Sequence, residues 1–327
     1  MTPIPEQVGK FRGLINGYKI SQIIMSLEKL GVFRALADDV TNIEDIASQV
    51  GVSSAKLAPL LNGVVHYGLL SKNGESYGFS DDAVVLNPKH PASQNGYIGF
   101  SENVRDKWTK LSELVTEKEV GDLNKVTGGN QEETRNFISA MHVNAIPQSK
   151  FIVENFDFTD HRILDLGAGS GVFSIAIGNH FKTSSGVLFD LPGVASITSE
   201  YLNKENISER FSVVAGDYHK EIPINKFNDI LLFAVIHQES EDNLNNLLTE
   251  IRTRLIEGGR VFITSFFLEE NKTAPTFPTL FSVEMIVMHE KGKVYTFGEI
   301  ESSLKKAGFS FERIDSIPGP ATLYVAS

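Results

Sequence analysis

At 327 residues the sequence is too long for one ordinary domain and long enough for two, each burying its own core. It contains no cysteine, which excludes a disulfide framework, a thiolate nucleophile and a Cys-ligated metal, and nothing points to an oxidising compartment. A formal charge of −11 repels phosphate backbones, so nucleic-acid binding would need a local basic patch, and none is found. The start, Met1 to Glu6, has no basic segment leading into an apolar run, and no stretch of about 20 uninterrupted apolar residues occurs. The expectation is a cytoplasmic protein with neither a membrane nor a nucleic acid as partner.

Up to about residue 95 the pattern is helical. Phe11, Leu14, Ile15 and Tyr18, then Ile23, Ile24, Leu27 and Leu30, recur at helical spacing and read as buried faces. A short helix over Thr41–Ala47, a turn at Gly51 and a second helix capped by Ser53 or Ser54, with Pro59 as a kink, form a helix-turn-helix. Asn73-Gly74 then predicts a tight hairpin, the wing of a winged helix. Connecting helices follow to about residue 155, interrupted by Gly121 and by the polar stretch Thr127 to Gln131.

From Arg162 short apolar runs alternate with amphipathic helices. Strands are expected over Ile163–Leu166, Gly186–Phe189, Phe211–Val214, Asp229–Ile236 and Arg260–Phe267, with Ser310–Ile317 and Thr322–Ala326 as a closing antiparallel pair. Between the fourth and fifth, a helix carries Leu244, Leu247, Leu248, Ile251 and Leu255 on one face and ends at Gly258-Gly259. The fold class is α/β: a Rossmann-like, doubly wound, mostly parallel seven-stranded sheet behind a mainly helical winged-helix domain. The expected division is 1–95, 96–155 and 156–327.

The chemistry concentrates at three strand ends. After the first strand comes Asp165-Leu166-Gly167-Ala168-Gly169-Ser170-Gly171, where glycines let backbone N–H groups approach a ligand and the following helix N-terminus favours an anionic group. Alone, such a loop is weak evidence, since a tight βα turn with no ligand can carry the same glycines. About 25 residues on, Phe189-Asp190-Leu191-Pro192 puts a carboxylate where two ribose hydroxyls would sit. Gly216-Asp217-Tyr218 ends the third strand on the same edge, within reach of an adenine amino group.

These three motifs together resemble the class I S-adenosylmethionine-dependent methyltransferases. With the winged-helix start, the chain is similar over nearly its whole length to the caffeic acid type O-methyltransferase family, whose bacterial members act on polyketides and phenazines. The resemblance implies S-adenosylmethionine as methyl donor, S-adenosylhomocysteine as product, and a cofactor site of Asp165, Gly167, Gly169, Asp190, Leu191, Gly216, Asp217, Tyr218 and Phe233. It separates the loop from a nicotinamide-binding one and implies a homodimer through the first helices. It also implies that His237, in Ala234-Val235-Ile236-His237-Gln238, is the general base for an acceptor hydroxyl, a scheme that needs no metal. A free phenol, with a pKa of about 10, is a poor nucleophile at neutral pH, whereas histidine, at about 6.5, can take its proton.

The chain departs from the family pattern around that histidine. Gln238 follows it where an aspartate is common, and Phe233 and Ala234 stand where a lysine or arginine often precedes it. Ser265 and Val294 fall where acidic partners are expected, and neither is expected to orient or charge-stabilise an imidazolium; Glu284 and His289 are the candidate substitutes. The resemblance implies an acceptor pocket for a small aromatic molecule from Phe100, Trp108, Phe137, Met141, Asn144, Met285 and Met288. The alternatives are N- or C-methylation of a heteroaromatic acceptor by the same fold, a protein that binds the cofactor without transferring methyl, or a winged-helix DNA-binding regulator. Charge opposes the last: the second helix, Ser54 to His66, offers only Lys56, and the helix before it carries Glu44 and Asp45.

Overall fold

The computed structural model describes residues 4–116, 131–289 and 292–327. Gly121 and Thr127 to Asn130, expected to interrupt the connecting helices, lie outside the described residues. The chain divides into two compact units, Met1–Asn103 and Val104–Ser327. Among the described residues no helix is long and apolar enough to cross a membrane.

The N-terminal unit contains α1 (Ile4–Asn16), α2 (Tyr18–Leu30), α3 (Val32–Ala37), α4 (Ile43–Val50), α5 (Ser54–His66) and the hairpin β1 (Leu70–Asn73) and β2 (Ser76–Phe79). Asn42 starts α4 by accepting the Glu44 N–H at 2.9 Å, and Gly51, at φ 72°, ends it in the left-handed region. Leu27, Phe33, Ile46, Leu57, Leu61 and Val64 are fully or almost fully buried and form the core of this unit. The hairpin turns at Gly74-Glu75 with Gly74 at φ 59°, while Asn73 closes the strand opposite Ser76. α5 continues through Pro59 as one helix of 13 residues.

One expected buried face is not buried. Phe11, Leu14, Ile15 and Tyr18 are 62%, 74%, 59% and 65% exposed, and α1 has no buried residue. Periodicity identified an apolar stripe, but among the described residues no element buries it.

α6 (Asn95–Trp108) runs across the unit boundary in sequence and is followed by α7 (Leu111–Leu114) and α8 (Gln131–Asn155). The sheet then forms from β3 (Arg162–Leu166), β4 (Ser185–Asp190), β5 (Phe211–Ala215), β6 (Phe227–Phe233), β7 (Leu255–Ser265), β8 (Phe311–Ile314) and β9 (Thr322–Ala326). The accompanying helices are α9 (Val172–His180), α10 (Pro192–Lys204), α11 (Glu241–Arg254), α12 (Thr276–Met288) and α13 (Phe297–Lys306). The strand order is β5-β4-β3-β6-β7-β9-β8, parallel except where β9 pairs with β7 and β8. Helices cover both faces, which is why β3 and β6 read as nearly unbroken apolar runs. The order reverses between β3 and β6, so the crevice at their carboxyl ends is the topological switch point where such sheets bind ligands.

Three strands differ by more than one residue from the sequence reading. β6 stops at Phe233 instead of Ile236, because Ala234 turns to φ 56°, and His237 instead sits in a single 3-10 turn, Ile236–Gln238. β7 runs from Leu255 to Ser265 instead of Arg260 to Phe267: Leu255 leaves the helix to pair with Phe227, and Gly258 and Gly259 lie within the strand. β8 shortens to four residues, the length over which β9 offers a partner.

Candidate active site

The loop after β3 needs its glycines for two reasons. Gly167, Gly169 and Gly171 have φ of 73°, 57° and 75°, a region that strains any side chain. A Cβ at Gly167 would also stand 2.7 Å from Val235 Cγ2, and one at Gly171 2.5 Å from Leu188 Cδ2. The loop is tied down by Thr198, whose hydroxyl donates to the Gly169 carbonyl at 2.6 Å, and by Asp190, which accepts the Gly169 N–H at 2.7 Å. His142 on α8 lies 2.9 Å from the Ser170 hydroxyl, pinning a third side.

Asp190, the last residue of β4, also accepts the Leu191 N–H at 2.7 Å with its other oxygen. Each oxygen keeps a lone pair, and the next residues, Leu191 and Pro192, start α10. Burial raises its carboxyl pKa, opposed by the two N–H donors. Asp165 is buried more deeply: desolvation, with the Asp190 charge adding, pushes it up to about 7 against the Ser174 hydroxyl at 2.7 Å. Among the described residues neither carboxylate pairs with Lys, Arg or His. A buried acid, a half-buried one and a ring of small residues fit a ligand that carries positive charge and a vicinal diol, as S-adenosylmethionine does.

The loop after β5 completes this edge. Gly216 donates to the Asp190 carbonyl at 2.9 Å, and a Cβ there would run into the Phe189 ring. Asp217 follows, its side chain partly exposed. Tyr218 donates to Glu239 at 2.6 Å, and its phenol pKa is raised, by burial first and by the Glu239 charge second. Phe233 packs into the core with its ring centroid 4.0 Å from that of Phe173.

His237 is 7% exposed. Desolvation, reinforced by nearby His289, pushes its pKa down to about 3, so the imidazole is neutral at any working pH. Ser265 is its hydrogen-bond partner, with Oγ 3.4 Å from Nδ1, so a side chain that the sequence reading discounted does orient the ring, through one long contact. Phe281 meets the imidazole edge-on at 5.0 Å, and Phe266 and Phe277 complete an aromatic cluster on that side. Glu284 instead accepts from Trp108 Nε1 at 3.1 Å, and burial raises its pKa. Val294 lies in the core with Leu268 and Met285.

The expected acceptor residues are not all brought together. Trp108 reaches α12 through Glu284, while Met285 and Met288 on that helix are buried, Met285 against Phe281. Phe137, Met141 and Asn144 lie along α8, where Phe137 packs against Ile138, Val194 and Ile197. Phe100 belongs to the N-terminal unit, with its ring 6.4 Å from that of Tyr97. Sequence reasoning missed Phe266, Phe277, Phe281, His142 and Glu239. Only Glu239 carried a signal, an acid two residues beyond the base.

An O-methyltransferase domain model matches residues 108–310, more than half of the chain. The chain belongs to the O-methyltransferase domain family. It is an enzyme, an S-adenosylmethionine-dependent O-methyltransferase. An O-methyltransferase dimerisation domain model matches residues 13–86. A tetracenomycin polyketide synthesis 8-O-methyl transferase of Streptomyces glaucescens is 22% identical, with 93% of this chain and 92% of the relative covered. A phenazine O-methyltransferase of Lysobacter antibioticus is 24% identical, with 92% and 90% covered. Among solved structures, human N-acetylserotonin methyltransferase in complex with S-adenosylmethionine has a TM-score of 0.86 at 19% identity, covering 100% of this chain and 99% of that one. A putative O-methyltransferase from Nostoc punctiforme has a TM-score of 0.87 at 22% identity, covering 100% and 99%. These two solved structures share the fold from end to end.

Proposed function

We propose that this O-methyltransferase methylates a hydroxyl of a small aromatic or polyketide-type natural product, with His237 as general base. The observation that carries the reading is a buried, neutral imidazole beside an aromatic cluster, just beyond the strand that borders the glycine loop. Asp165, Gly167, Gly169, Asp190, Leu191, Gly216, Asp217 and Tyr218 hold the cofactor, which supplies an electrophilic methyl group when bound. Asp190 takes the ribose hydroxyls with its two remaining lone pairs. With its proton on Nδ1, facing Ser265, His237 has Nε2 left to receive the acceptor proton. Phe266, Phe277 and Phe281 flank an aromatic ring, and Trp108 and Met141 border it. An imidazole whose basicity burial has lowered accepts a proton most readily from an acidic hydroxyl, which favours acidic phenols and enols over simple phenols. The named activities of the polyketide and phenazine relatives support the same acceptor class.

The direct test incubates the protein with S-adenosylmethionine and a panel of phenols, enolic acids and heteroaromatic amines, with the methylated atom located by NMR. Methyl on oxygen is expected, and fastest on the most acidic hydroxyls. Transfer only to nitrogen or carbon would replace this reading with the second one, which the absence of a carboxylate beside His237 among the described residues favours.

Residues 1–95 serve dimerisation, 96–155 contribute to acceptor recognition and 156–327 bind the cofactor and carry the base. The stripe Phe11, Leu14, Ile15 and Tyr18 is the core of a homodimer contact, since aromatic and aliphatic side chains exposed this far are covered in a stable assembly. Changing Phe11 and Leu14 together to glutamate should convert a dimer to a monomer in sedimentation velocity. An unchanged dimer would move the contact elsewhere.

A further inference from the structure

Glu239 is 1% exposed and stands two residues after His237, yet the hydrogen-bond partner of the His237 ring is Ser265 and not this carboxylate. Its carboxylate turns toward the loop after β5 instead. Tyr218 donates to Oε1 at 2.6 Å, and His219 Nε2 stands 2.9 Å from Oε1 and 3.0 Å from Oε2. The other ring nitrogen of His219, Nδ1, is 3.1 Å from Asp217 Oδ1. An imidazole with a carboxylate at each nitrogen satisfies both only when both nitrogens carry protons, that is, as the cation.

The bridge also fixes the orientation of Asp217. Oδ1 accepts the His219 backbone N–H at 3.0 Å as well as the ring, and Lys220 Nζ lies 3.3 Å from Oδ2. That leaves a lone pair on Oδ2 for a ligand donor. At its other end the bridge is anchored by Tyr295, whose hydroxyl donates to the Glu239 backbone carbonyl at 2.8 Å.

We infer that Glu239 and His219 are positioning residues for the methyl donor: the acid–imidazolium–acid bridge Glu239–His219–Asp217 holds Asp217 in place to accept a hydrogen bond from the adenine of S-adenosylmethionine. The inference rests on the reading of Asp217 as a cofactor contact. The bridge ties the adenine-side loop to Glu239, in the segment after β6.

The groups facing His219 are Asp217, Lys220 and Tyr218 on its own loop and Glu239 across from it; Tyr295 and His289 face Glu239. Desolvation lowers the His219 pKa, but hydrogen bonds and charge from Glu239 and then Asp217 outweigh it, and the net direction is up. While its carboxylate partners are ionised, a raised imidazole keeps the bridge intact through neutral pH and releases it as pH rises through the shifted value. Binding of the donor should therefore weaken on the alkaline side.

The test is calorimetric titration of the full-length protein with S-adenosylhomocysteine from pH 6 to 9, together with NMR titration of the His219 ring. The wild type should hold its affinity through neutral pH and lose it above, with the ring titrating above its ordinary value. His219→Gln should bind about tenfold more weakly, the size of one lost charge-assisted contact, and show no alkaline decline. Glu239→Gln should move the decline to lower pH, and both variants should raise KM for S-adenosylmethionine with little change in kcat. Asp217→Asn separates this inference from the reading beneath it. Equal losses in Asp217→Asn and His219→Gln, with no further loss in the double variant, support the bridge. Full affinity in Asp217→Asn means that the carboxylate is not a donor contact and overturns the inference, even if the protein binds S-adenosylhomocysteine normally. A His219 ring titrating at or below its ordinary value overturns it in the wild type alone, whatever the folding of the variants.

Discussion

Replacing His237 with alanine should abolish methyl transfer, a loss of roughly 10²- to 10⁴-fold as expected for a general base, while S-adenosylhomocysteine binds nearly as in the wild type. The separation follows from position: the acids and turned glycines of the cofactor edge lie at the carboxyl ends of β3, β4 and β5 and in the loops that follow them, and His237 lies beyond β6. Initial rates with an accepted phenol, alongside calorimetry, give both numbers. Normal turnover in the variant would remove general-base catalysis from the account.

The same residue sets a stability dependence with a definite sign. Burial holds the folded-state pKa of His237 at about 3, below that of an unfolded histidine, so the unfolded chain takes up a proton that the folded chain refuses. His237 should therefore reduce wild-type stability as pH falls from about 6.5 toward 3. His237→Gln, which cannot be protonated, should lose less stability over that range in urea melts at matched pH.

Asp190→Ala is the second large effect. The carboxylate accepts the Gly169 and Leu191 N–H groups, each at 2.7 Å, so it both shapes the glycine loop and offers the remaining lone pairs to a diol. Its loss removes ligand contacts and leaves two loop donors unpaired. Charged hydrogen bonds contribute about 1.5–3 kcal/mol each, so S-adenosylhomocysteine affinity should fall at least roughly tenfold, and by about a hundredfold at the upper end. Calorimetry measures it directly. Wild-type affinity would show that the diol of the cofactor is held elsewhere.

Local signals made much of this molecule legible. Asp165 to Gly171 read correctly as a turn after a buried strand, because left-handed glycines and an apolar run are written in adjacent residues. Gly51 and the Gly74 turn were equally plain, since tight turns depend on the residues within them. The apolar stripe of α1 was visible too. Its exposure was not, because burial depends on what packs against a helix, and among the described residues nothing buries this one.

The site was legible as motifs and not as contacts. His237 could be singled out by its place near a strand end, but its setting was misread: Ser265 orients it at long range, Glu284 binds Trp108, and the near acid, Glu239, is engaged with Tyr218 and His219. Phe266, Phe277 and Phe281 look like ordinary core residues in the sequence and gather at the imidazole only once α12 packs its rings against Phe266.

The sequence by itself determined the doubly wound sheet, the helical N-terminal unit and the three strand-end motifs, since periodicity, glycine placement and strand-end acids act over a few neighbouring residues. The tertiary structure decided where β6 and β7 end, which expected pocket residues are core, and what each buried acid pairs with. Those outcomes turn on groups distant in the chain, such as Leu255 pairing with Phe227 or His219 spanning Asp217 and Glu239, and a buried charge takes its partner from whatever the fold brings within about 3 Å.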